Sequence, residues 1–277
     1  MQTRTPISWK AFIPLLIVLV VAGGLRIQAY FSRPTVPTAT VPSVTHDEVV
    51  SSDNSTTPTP TPGGVALPPA LVPSIIPTAP PVVPPPSAVE FNLSVPFSSQ
   101  APFMKWDAYH EETCEEASLL MAVEYYQGTK AETLDPQFAE DEYAKMTDIE
   151  NSLGYGLSMT SAETVATLEK YSDKFTARVI DNPTVDELKA LIKKGDPIVA
   201  PAAGRKLGNP FFTGEGPLYH MLVIRGYTKD TFITNDPGTR HGENYSYNTS
   251  VFMNAIGDWN SGDPEHGAKR VIVLEPK

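Results

Sequence analysis

CEEASLLMAVEYYQ, residues 114–127, is an apolar-rich run that contains neither Gly nor Pro. Its apolar side chains recur every three or four residues, and Gly128 follows the run as a stop signal. We therefore predict a helix that begins at Cys114 and turns one face to the core. The residues of this face would be Ala117, Leu120, Met121 and Tyr125.

Three threonines precede helical patterns and have a glutamate three residues further on, which is the spacing of a capping box. They are Thr113 with Glu116, Thr160 with Glu163, and Thr184 with Glu187. A fourth pattern begins at Pro136, and proline is favoured in the first turn of a helix. The predicted helices cover residues 114–127, 136–146, 161–171 and 184–194.

Short alternating or apolar runs bounded by turn residues predict the strands. They lie at residues 92–96, 175–180, 197–202, 219–227, 231–235 and 270–274. Because the helices come mostly before the strands, we predict an α+β fold in which N-terminal helices pack on an antiparallel β-sheet.

Proline divides the chain into parts. Of its 28 prolines, 15 fall between Pro34 and Pro86, and such a segment has too few backbone donors to build a packed core. We predict a Pro/Thr-rich disordered linker at residues 34–87 and one folded domain at residues 88–277. In polyproline geometry this linker would reach on the order of 100 Å or more.

The N-terminal part resembles a membrane-targeting segment. Residues 11–25 (AFIPLLIVLVVAGGL) are uncharged and mostly apolar, and they follow Arg4 and Lys10. This predicts a signal anchor within residues 1–33, with a cytoplasmic tip and the folded domain outside the cytoplasm. A cleaved signal peptide is the alternative, and it would leave the domain secreted.

The net charge of −11 and the pI of about 4.9 argue against nucleic acid as a partner, because an acidic chain gains nothing from a phosphate backbone. The single cysteine, Cys114, excludes an internal disulfide. Scattered histidines, among them His110, His241 and His266, match no metal-ligand spacing, so we predict neither a metal nor a cofactor. No pattern predicts an oligomeric state.

The sequence around Cys114 fits two roles for its side chain. A free cysteine is most often a small buried apolar side chain. At the start of a helix, however, unpaired N–H groups and the helix dipole favour a thiolate, which is the nucleophilic form. Four nearby acids oppose this effect by raising the pKa of the thiol, although Glu115 and Glu116 are also ordinary helix N-terminal residues. The other two are Glu111 and Glu112.

His220 begins an apolar strand that turns near residues 228–230 and returns to Asn235, Asp236 and Pro237. A tight turn there pairs His220 with position 237 or 238, which brings Asp236 within about 5–8 Å between β-carbons. A carboxylate at that range can orient an imidazole ring. Asn235 is the alternative for this role, because the pairing is uncertain by one residue.

Gln100 lies in a loop before the predicted cysteine helix, and an amide donor near a thiolate can form an oxyanion hole. Trp106, Asn235 and Tyr219 are candidates for lining a substrate cleft. For Trp106 a position in the core is the more common one. The Gly- and Pro-rich segment 204–217 leads directly to His220, and we expect it to be a mobile loop over the cleft.

Three segments, VPFSSQAPFMKW, TCEEASLLMAVEYYQG and YHMLVIRGY with FITNDPG, resemble the papain-like cysteine peptidases related to bacteriocin-leader (double-glycine) peptidases. The resemblance implies a bacterial thiol protease with a papain-like fold. It implies that Cys114 is the nucleophile, His220 the general base and acid, Asp236 the residue that orients His220, and Gln100 the oxyanion-hole donor. Glu115-Glu116 replace the residues that usually follow the nucleophile, and Tyr219 stands where the family often has Gly.

The sequence therefore predicts a membrane-tethered, extracytoplasmic cysteine peptidase that acts on a peptide or protein substrate. Two alternatives stay open. One is a catalytically inactive cell-surface binding module of the same fold, because Glu115-Glu116 depart from the family pattern. The other is a cell-wall peptide amidase or transpeptidase, which the same Cys-His-Asp triad would serve.

Overall fold

The computed structural model describes residues 43–52 and 89–277. The predicted anchor at residues 1–33 and most of the predicted linker lie outside the described residues. Among the residues that are described, no helix is long and apolar enough to cross a membrane.

Seven α-helices and a short 3₁₀ helix lie in the described ranges. The helices are α1 (His46–Ser52), α2 (Cys114–Tyr126), α3 (Pro136–Leu153), α4 (Ser161–Tyr171), α5 (Val185–Lys193), α6 (Gly204–Leu207) and α7 (Thr249–Ala255), and the 3₁₀ helix is Pro264–His266. The strands are β1 (Val89–Asn92), β2 (Phe175–Asp181), β3 (Ile198–Ala203), β4 (Tyr219–Thr228), β5 (Thr231–Asn235), β6 (Tyr245–Asn248) and β7 (Arg270–Pro276).

The seven strands form one antiparallel sheet in the order β2-β7-β3-β4-β5-β6, and β1 also pairs with β4. This confirms the predicted α+β class, with helices packed on an antiparallel sheet. Helix α3 continues to Leu153, beyond its predicted end, and the first strand ends where the predicted one begins. The sequence patterns did not predict α1, α6, α7 or β6.

Helix α2 lies at the centre of the fold. Every residue from Cys114 to Tyr125 is buried, and the helix packs against β4 and α3. The prediction of a single apolar face is therefore wrong for this helix. The acids Glu115, Glu116 and Glu124 are buried together with the apolar side chains.

Two of the three predicted capping boxes are present. The hydroxyls of Thr160 and Thr184 accept from the backbone N–H of Glu163 and Glu187, and each glutamate accepts from its threonine in return. The capping box predicted for Thr113 is wrong, because its side chain makes no cap hydrogen bond. The Thr113 hydroxyl instead donates to the backbone carbonyl of Gln100 at 2.9 Å.

Residues 43–52 fall inside the predicted linker, yet the structure packs them on the folded domain. Val44 forms a parallel bridge with Leu93. The backbone N–H of Val44 donates to the carbonyl of Asn92 at 2.9 Å, and its carbonyl accepts from the N–H of Ser94 at 2.7 Å. Val49 of α1 lies against Gly195, where a β-carbon would come within 2.9 Å of a Val49 methyl. The domain boundaries themselves stay a prediction.

Candidate active site

Cys114 is the first residue of α2, and its side chain is buried. The thiol donates a hydrogen bond to Oε2 of Glu115 at 2.9 Å. Burial raises the pKa of the thiol well above its ordinary value, and the charge and hydrogen bond of Glu115 raise it further. The direction agrees with the prediction that the neighbouring acids oppose thiolate formation.

The thiol also lies beside strand β4. The backbone N–H of Met221 favours the thiolate and lowers its pKa, although burial and Glu115 outweigh this effect. Met221 directly follows His220 in β4, so the sulfur lies next to the strand that carries the imidazole. Among the described residues, however, the side chain that hydrogen-bonds to the sulfur is Glu115 and not the His220 ring.

His220 and Asp236 form a hydrogen-bonded pair. Nε2 of His220 lies 2.7 Å from Oδ1 of Asp236, and both side chains are almost fully buried. Because the carboxylate accepts the Nε2–H, the other ring nitrogen, Nδ1, is left unprotonated in the neutral imidazole.

The pairing of β4 with β5 produces this contact. Val223 pairs with Asn235, and continuing that register towards residue 220 places His220 opposite Gly238, one of the two positions predicted. A β-carbon at Gly238 would lie 2.7 Å from Cε1 of His220. A residue without a side chain is therefore needed here for the ring to reach Asp236.

Asp236 is held by more than His220. Its Oδ1 accepts from the backbone N–H of Gly238 at 3.0 Å, and its Oδ2 accepts from Asn209 at 3.1 Å and from the Tyr247 hydroxyl. Burial by itself would raise the pKa of Asp236. The charge of His220 and these hydrogen bonds reverse the effect and lower the pKa below its ordinary value. The group is thus kept as a carboxylate.

Asn235 points elsewhere. Its side-chain carbonyl accepts from Arg225 at 3.1 Å, and its amide donates to the backbone carbonyls of Val95 and Pro96. The structure therefore brings Asp236, and not Asn235, against His220. Asn235 also does not line a cleft, since it is fully buried.

Gln100 connects the start of α2, which carries Cys114, to the segment after β5 that carries Asp236. Its backbone N–H donates to Pro237 at 3.0 Å, and its backbone carbonyl accepts from Thr113, the residue before Cys114. One N–H of its side-chain amide donates to the backbone carbonyl of His110 at 2.7 Å. Gln100 therefore lies beside the start of α2, and its part in an oxyanion hole stays a prediction. The second amide N–H is not used by the bond to His110.

His110 fixes the loop that carries Gln100. Its Nδ1 lies 2.8 Å from Asp107, and its Nε2 lies 3.0 Å from Oε2 of Glu140 on α3. The loop between Gln100 and Cys114 is thereby attached to a helix through a buried imidazole. Sequence reasoning treated His110 as a scattered histidine and missed this contact.

A group of buried carboxyls lies beside the thiol. Burial raises the pKa of Glu115 and of Glu150 to about 7, and it raises the pKa of Glu116 well above its ordinary value, with a contribution from the charge of Glu150. Glu115 accepts from the backbone N–H of Met159 at 3.1 Å, and Glu116 accepts from Thr147 at 3.1 Å. Both acids point into the protein, which is why neither serves as a surface residue of the first turn.

The segment 204–217 covers the imidazole. It begins as α6, and further along it places the Phe212 ring edge-on to His220, with 5.4 Å between ring centroids. Asn209 of the same segment bonds to Asp236. The expected location over the site is thus observed.

The remaining cleft candidates differ in exposure. Trp106 is 37% exposed, in the loop that links Gln100 to Cys114, so it does not belong to the core. Tyr219 is buried, and its hydroxyl donates to the backbone carbonyl of Met159 at 2.8 Å. Its ring packs against Trp259, so Tyr219 is a buried packing residue next to His220 in β4.

Sequence reasoning also missed Asn209 and Tyr247 as partners of Asp236. Asn209 follows Gly208, a left-handed residue that ends α6, and Tyr247 lies on β6, which was not predicted. The alternation of Tyr245, Ser246 and Tyr247 was the available signal for that strand. Within the described residues, no group of three or more His, Cys, Asp or Glu side chains is arranged to hold a metal.

A helix that begins at a cysteine and packs on an antiparallel sheet with a His-Asp pair is an arrangement in which cysteine peptidases hold their catalytic groups. The model of the Peptidase_C39 like family matches residues 92–263, which is more than half of the chain. The chain belongs to this family, as the sequence resemblance predicted, and the family has a papain-like fold.

Solved structures resemble the chain weakly. A putative C39-like peptidase from Bacillus anthracis is 16% identical, with a TM-score of 0.43, covering 67% of this chain and 97% of the other. The peptidase domain of Streptococcus ComA, described as a bi-functional ABC transporter involved in a quorum sensing pathway, is 14% identical, with a TM-score of 0.34, covering 66% of this chain and 99% of the other. No curated protein matches the chain.

Proposed function

We propose that the protein is an active cysteine peptidase in which Cys114 is the nucleophile and His220 and Asp236 complete the triad. The observation that carries the proposal is the 2.7 Å contact between His220 and Asp236, next to the strand residue that lies against the thiol. Buried imidazole–carboxylate pairs of this kind fix the tautomer that accepts a proton from a nucleophile.

The proposed reaction is acyl transfer to sulfur followed by hydrolysis. Nδ1 of His220 takes the thiol proton as the sulfur attacks the carbonyl carbon, and it then gives that proton to the leaving amine nitrogen. The C–N bond breaks and a thioester remains on Cys114. Water, deprotonated by His220, attacks the thioester and releases the acid and the thiol.

Gln100 is the proposed oxyanion-hole donor. Its backbone is tied both to Thr113 and to Pro237, so the amide is held close to the nucleophile and to the carboxylate. The amide N–H that does not bond to His110 would donate to the carbonyl oxygen of the substrate as negative charge develops on it. Trp106, exposed on the same loop, is the proposed contact for the substrate chain.

The proposed location is the outer face of the membrane, with residues 1–33 as the anchor. This part of the proposal rests on the apolar run 11–25 and on the basic residues before it. Recovery of the full-length protein in the soluble fraction of its native cells would contradict the anchor.

An inactive binding module is the second candidate, and one observation favours it. The thiol donates its hydrogen bond to Glu115 instead of to His220. For peptidase activity, the S–H must therefore turn away from Glu115 before His220 can take its proton.

Incubation of the full-length protein with a peptide library, alongside Cys114→Ser, His220→Ala and Asp236→Asn, tests the proposal. We expect cleavage by the wild type, none by Cys114→Ser or His220→Ala, and a strong loss for Asp236→Asn. Absence of cleavage by the wild type, together with unchanged ligand binding by Cys114→Ser, would favour the binding module. A library that includes cell-wall peptides and amine acceptors distinguishes hydrolysis of proteins from amidase or transpeptidase activity.

A further inference from the structure

Glu115 is the side chain in direct contact with the proposed nucleophile. Its Oε2 lies 2.9 Å from the sulfur of Cys114, and its Oε1 accepts from the backbone N–H of Met159 at 3.1 Å. The carboxyl is 1% exposed. Both oxygens are thus fixed, one by the backbone and the other by the thiol.

A carboxyl held against a thiol has two protonation states with opposite effects. A carboxylate accepts the S–H hydrogen bond and repels a negative sulfur, so it keeps the thiol protonated. A neutral carboxylic acid donates its O–H to the sulfur, and it therefore stabilises the thiolate. In these two arrangements one proton has moved between sulfur and oxygen, and the total charge is the same.

We infer that Glu115 shares one proton with Cys114 and is a further catalytic residue, whose neutral form supports the thiolate and whose ionised form holds the thiol in its resting state. The inference rests on the proposed role of Cys114 as nucleophile. It assigns a function to the acid that replaces the usual residue after the cysteine.

The surroundings of Glu115 favour proton uptake. Glu116 on the same helix and Glu150 on α3 are acids near it, and Tyr219 on β4 is the neutral group whose own pKa is raised partly by the Glu115 charge. Burial and the charge of Glu150 raise the pKa of Glu115 to about 7, against the hydrogen bonds of Cys114 and Met159. His220, which precedes Met221 on β4, is the basic group on the strand next to the thiol.

The shared proton has a measurable consequence for alkylation of the thiol. Below about pH 7 Glu115 is protonated, so the thiolate fraction rises about tenfold per pH unit, as for any thiol below its pKa. Above about pH 7 the thiolate forms only by transfer of its proton to Glu115, and that exchange does not depend on pH. The logarithm of the alkylation rate should therefore become flat above about pH 7.

Glu115→Gln is the matched substitution. Its amide oxygen can still accept from Met159, while its amide N–H can donate to the sulfur at every pH. The variant should keep the rising slope above pH 7 and should react about tenfold faster than the wild type at pH 8, if the thiol pKa falls by about one unit. Glu142→Gln is the control, because Glu142 bonds to Lys145 and Tyr171 and does not contact the thiol.

The experiment measures the rate of iodoacetamide alkylation of cysteine in the full-length protein from pH 5 to pH 9, where every cysteine adduct reports on Cys114, the single cysteine. Repeating the series in His220→Ala removes the contribution of the imidazole. A flat region above about pH 7 in both backgrounds, lost in Glu115→Gln and kept in Glu142→Gln, supports the inference.

A wild-type rate that rises at constant slope through pH 9 would overturn it, as would a flat region that disappears with His220→Ala alone. The wild-type profile decides the question even where Glu115→Gln fails to fold. Alkylation needs no substrate, so failure to cleave any peptide would defeat the proposed function without deciding the role of Glu115.

Discussion

The first turn of α2 and the first turns of α4 and α5 share one sequence pattern and differ in structure. Each has a threonine followed three residues later by a glutamate. At Thr160 and Thr184 the pair forms a capping box. At Thr113 it does not, because the hydroxyl holds the Gln100 backbone and Glu116 is buried against Thr147.

The difference shows why the same Thr-x-x-Glu spacing forms a capping box on one helix and not on another. A capping box needs both side chains to be free to turn back on the helix end, as on α5, where Glu187 is exposed. Helix α2 is surrounded by protein, so its first-turn polar groups are bound by other segments. The start of α2 therefore has no capping box. The Thr113 hydroxyl instead holds the Gln100 backbone at a fixed distance from Cys114.

Among the substitutions that test this comparison, Thr113→Val should have the largest effect on stability and activity. The hydroxyl is lost at constant shape, so the buried Gln100 carbonyl loses its donor, at a cost of about 1–3 kcal/mol in the free energy of unfolding. Displacement of Gln100 relative to Cys114 should lower the proposed peptidase activity about tenfold or more. Urea unfolding and steady-state kinetics measure the two effects, and an unchanged kcat would remove Thr113 from the positioning of Gln100.

The second test compares the pH dependence of a buried and an exposed first-turn acid. The pKa of Glu115 is raised in the folded protein, so the folded state binds more protons than the unfolded state between about pH 4.5 and 7, and stability falls as the pH rises through that interval. Hydrogen bonds from Thr184 lower the pKa of Glu187, so its contribution is lost as the pH falls.

Glu115→Gln should therefore reduce the loss of stability of the wild type between pH 5 and pH 8 by about 1–3 kcal/mol. Glu187→Gln should instead remove a small loss of stability that the wild type shows at acidic pH. Unfolding curves at several pH values provide the measurement. Parallel profiles for the wild type and Glu115→Gln would show that burial does not hold this proton.

The smallest expected effect belongs to an ordinary cap. Thr184→Ala removes the acceptor for the Glu187 N–H and should cost about 1 kcal/mol of stability. The rate of Cys114 alkylation should not change, because Thr184 lies on a helix that does not contribute to the site. A change in that rate would mean that the starts of α5 and α2 are energetically coupled.

Local patterns were sufficient for most of the fold, and the turn between β4 and β5 placed His220 near Asp236, with Asn235 as the alternative. The choice of Asp236 needed the structure, because the pairing was uncertain by one residue. Glu115, Asn209 and Tyr247 were not predictable in the same way. Their roles depend on segments that come together only in the folded chain, and a helical period does not show that α2 is covered on all sides.

For residues 43–52, the docked segment, the sequence prediction failed for a different reason. Thr45 and Glu48 have the same Thr-x-x-Glu spacing as the boxes that were found, and Glu48 accepts from both the N–H and the hydroxyl of Thr45. The prolines on both sides made this short helix look like part of a uniform linker. Composition averaged over a long segment hid a local signal that the same rule detects elsewhere.

The docked segment also has a mechanical consequence. Residues 43–52 come before β1 in the chain, and they are held by the bridge between Val44 and Leu93 and by the contact of Val49 with Gly195. A force applied to the chain before residue 43 therefore acts first on these contacts and reaches β1 only after they break. The short segment thus shields the first strand of the sheet from tension.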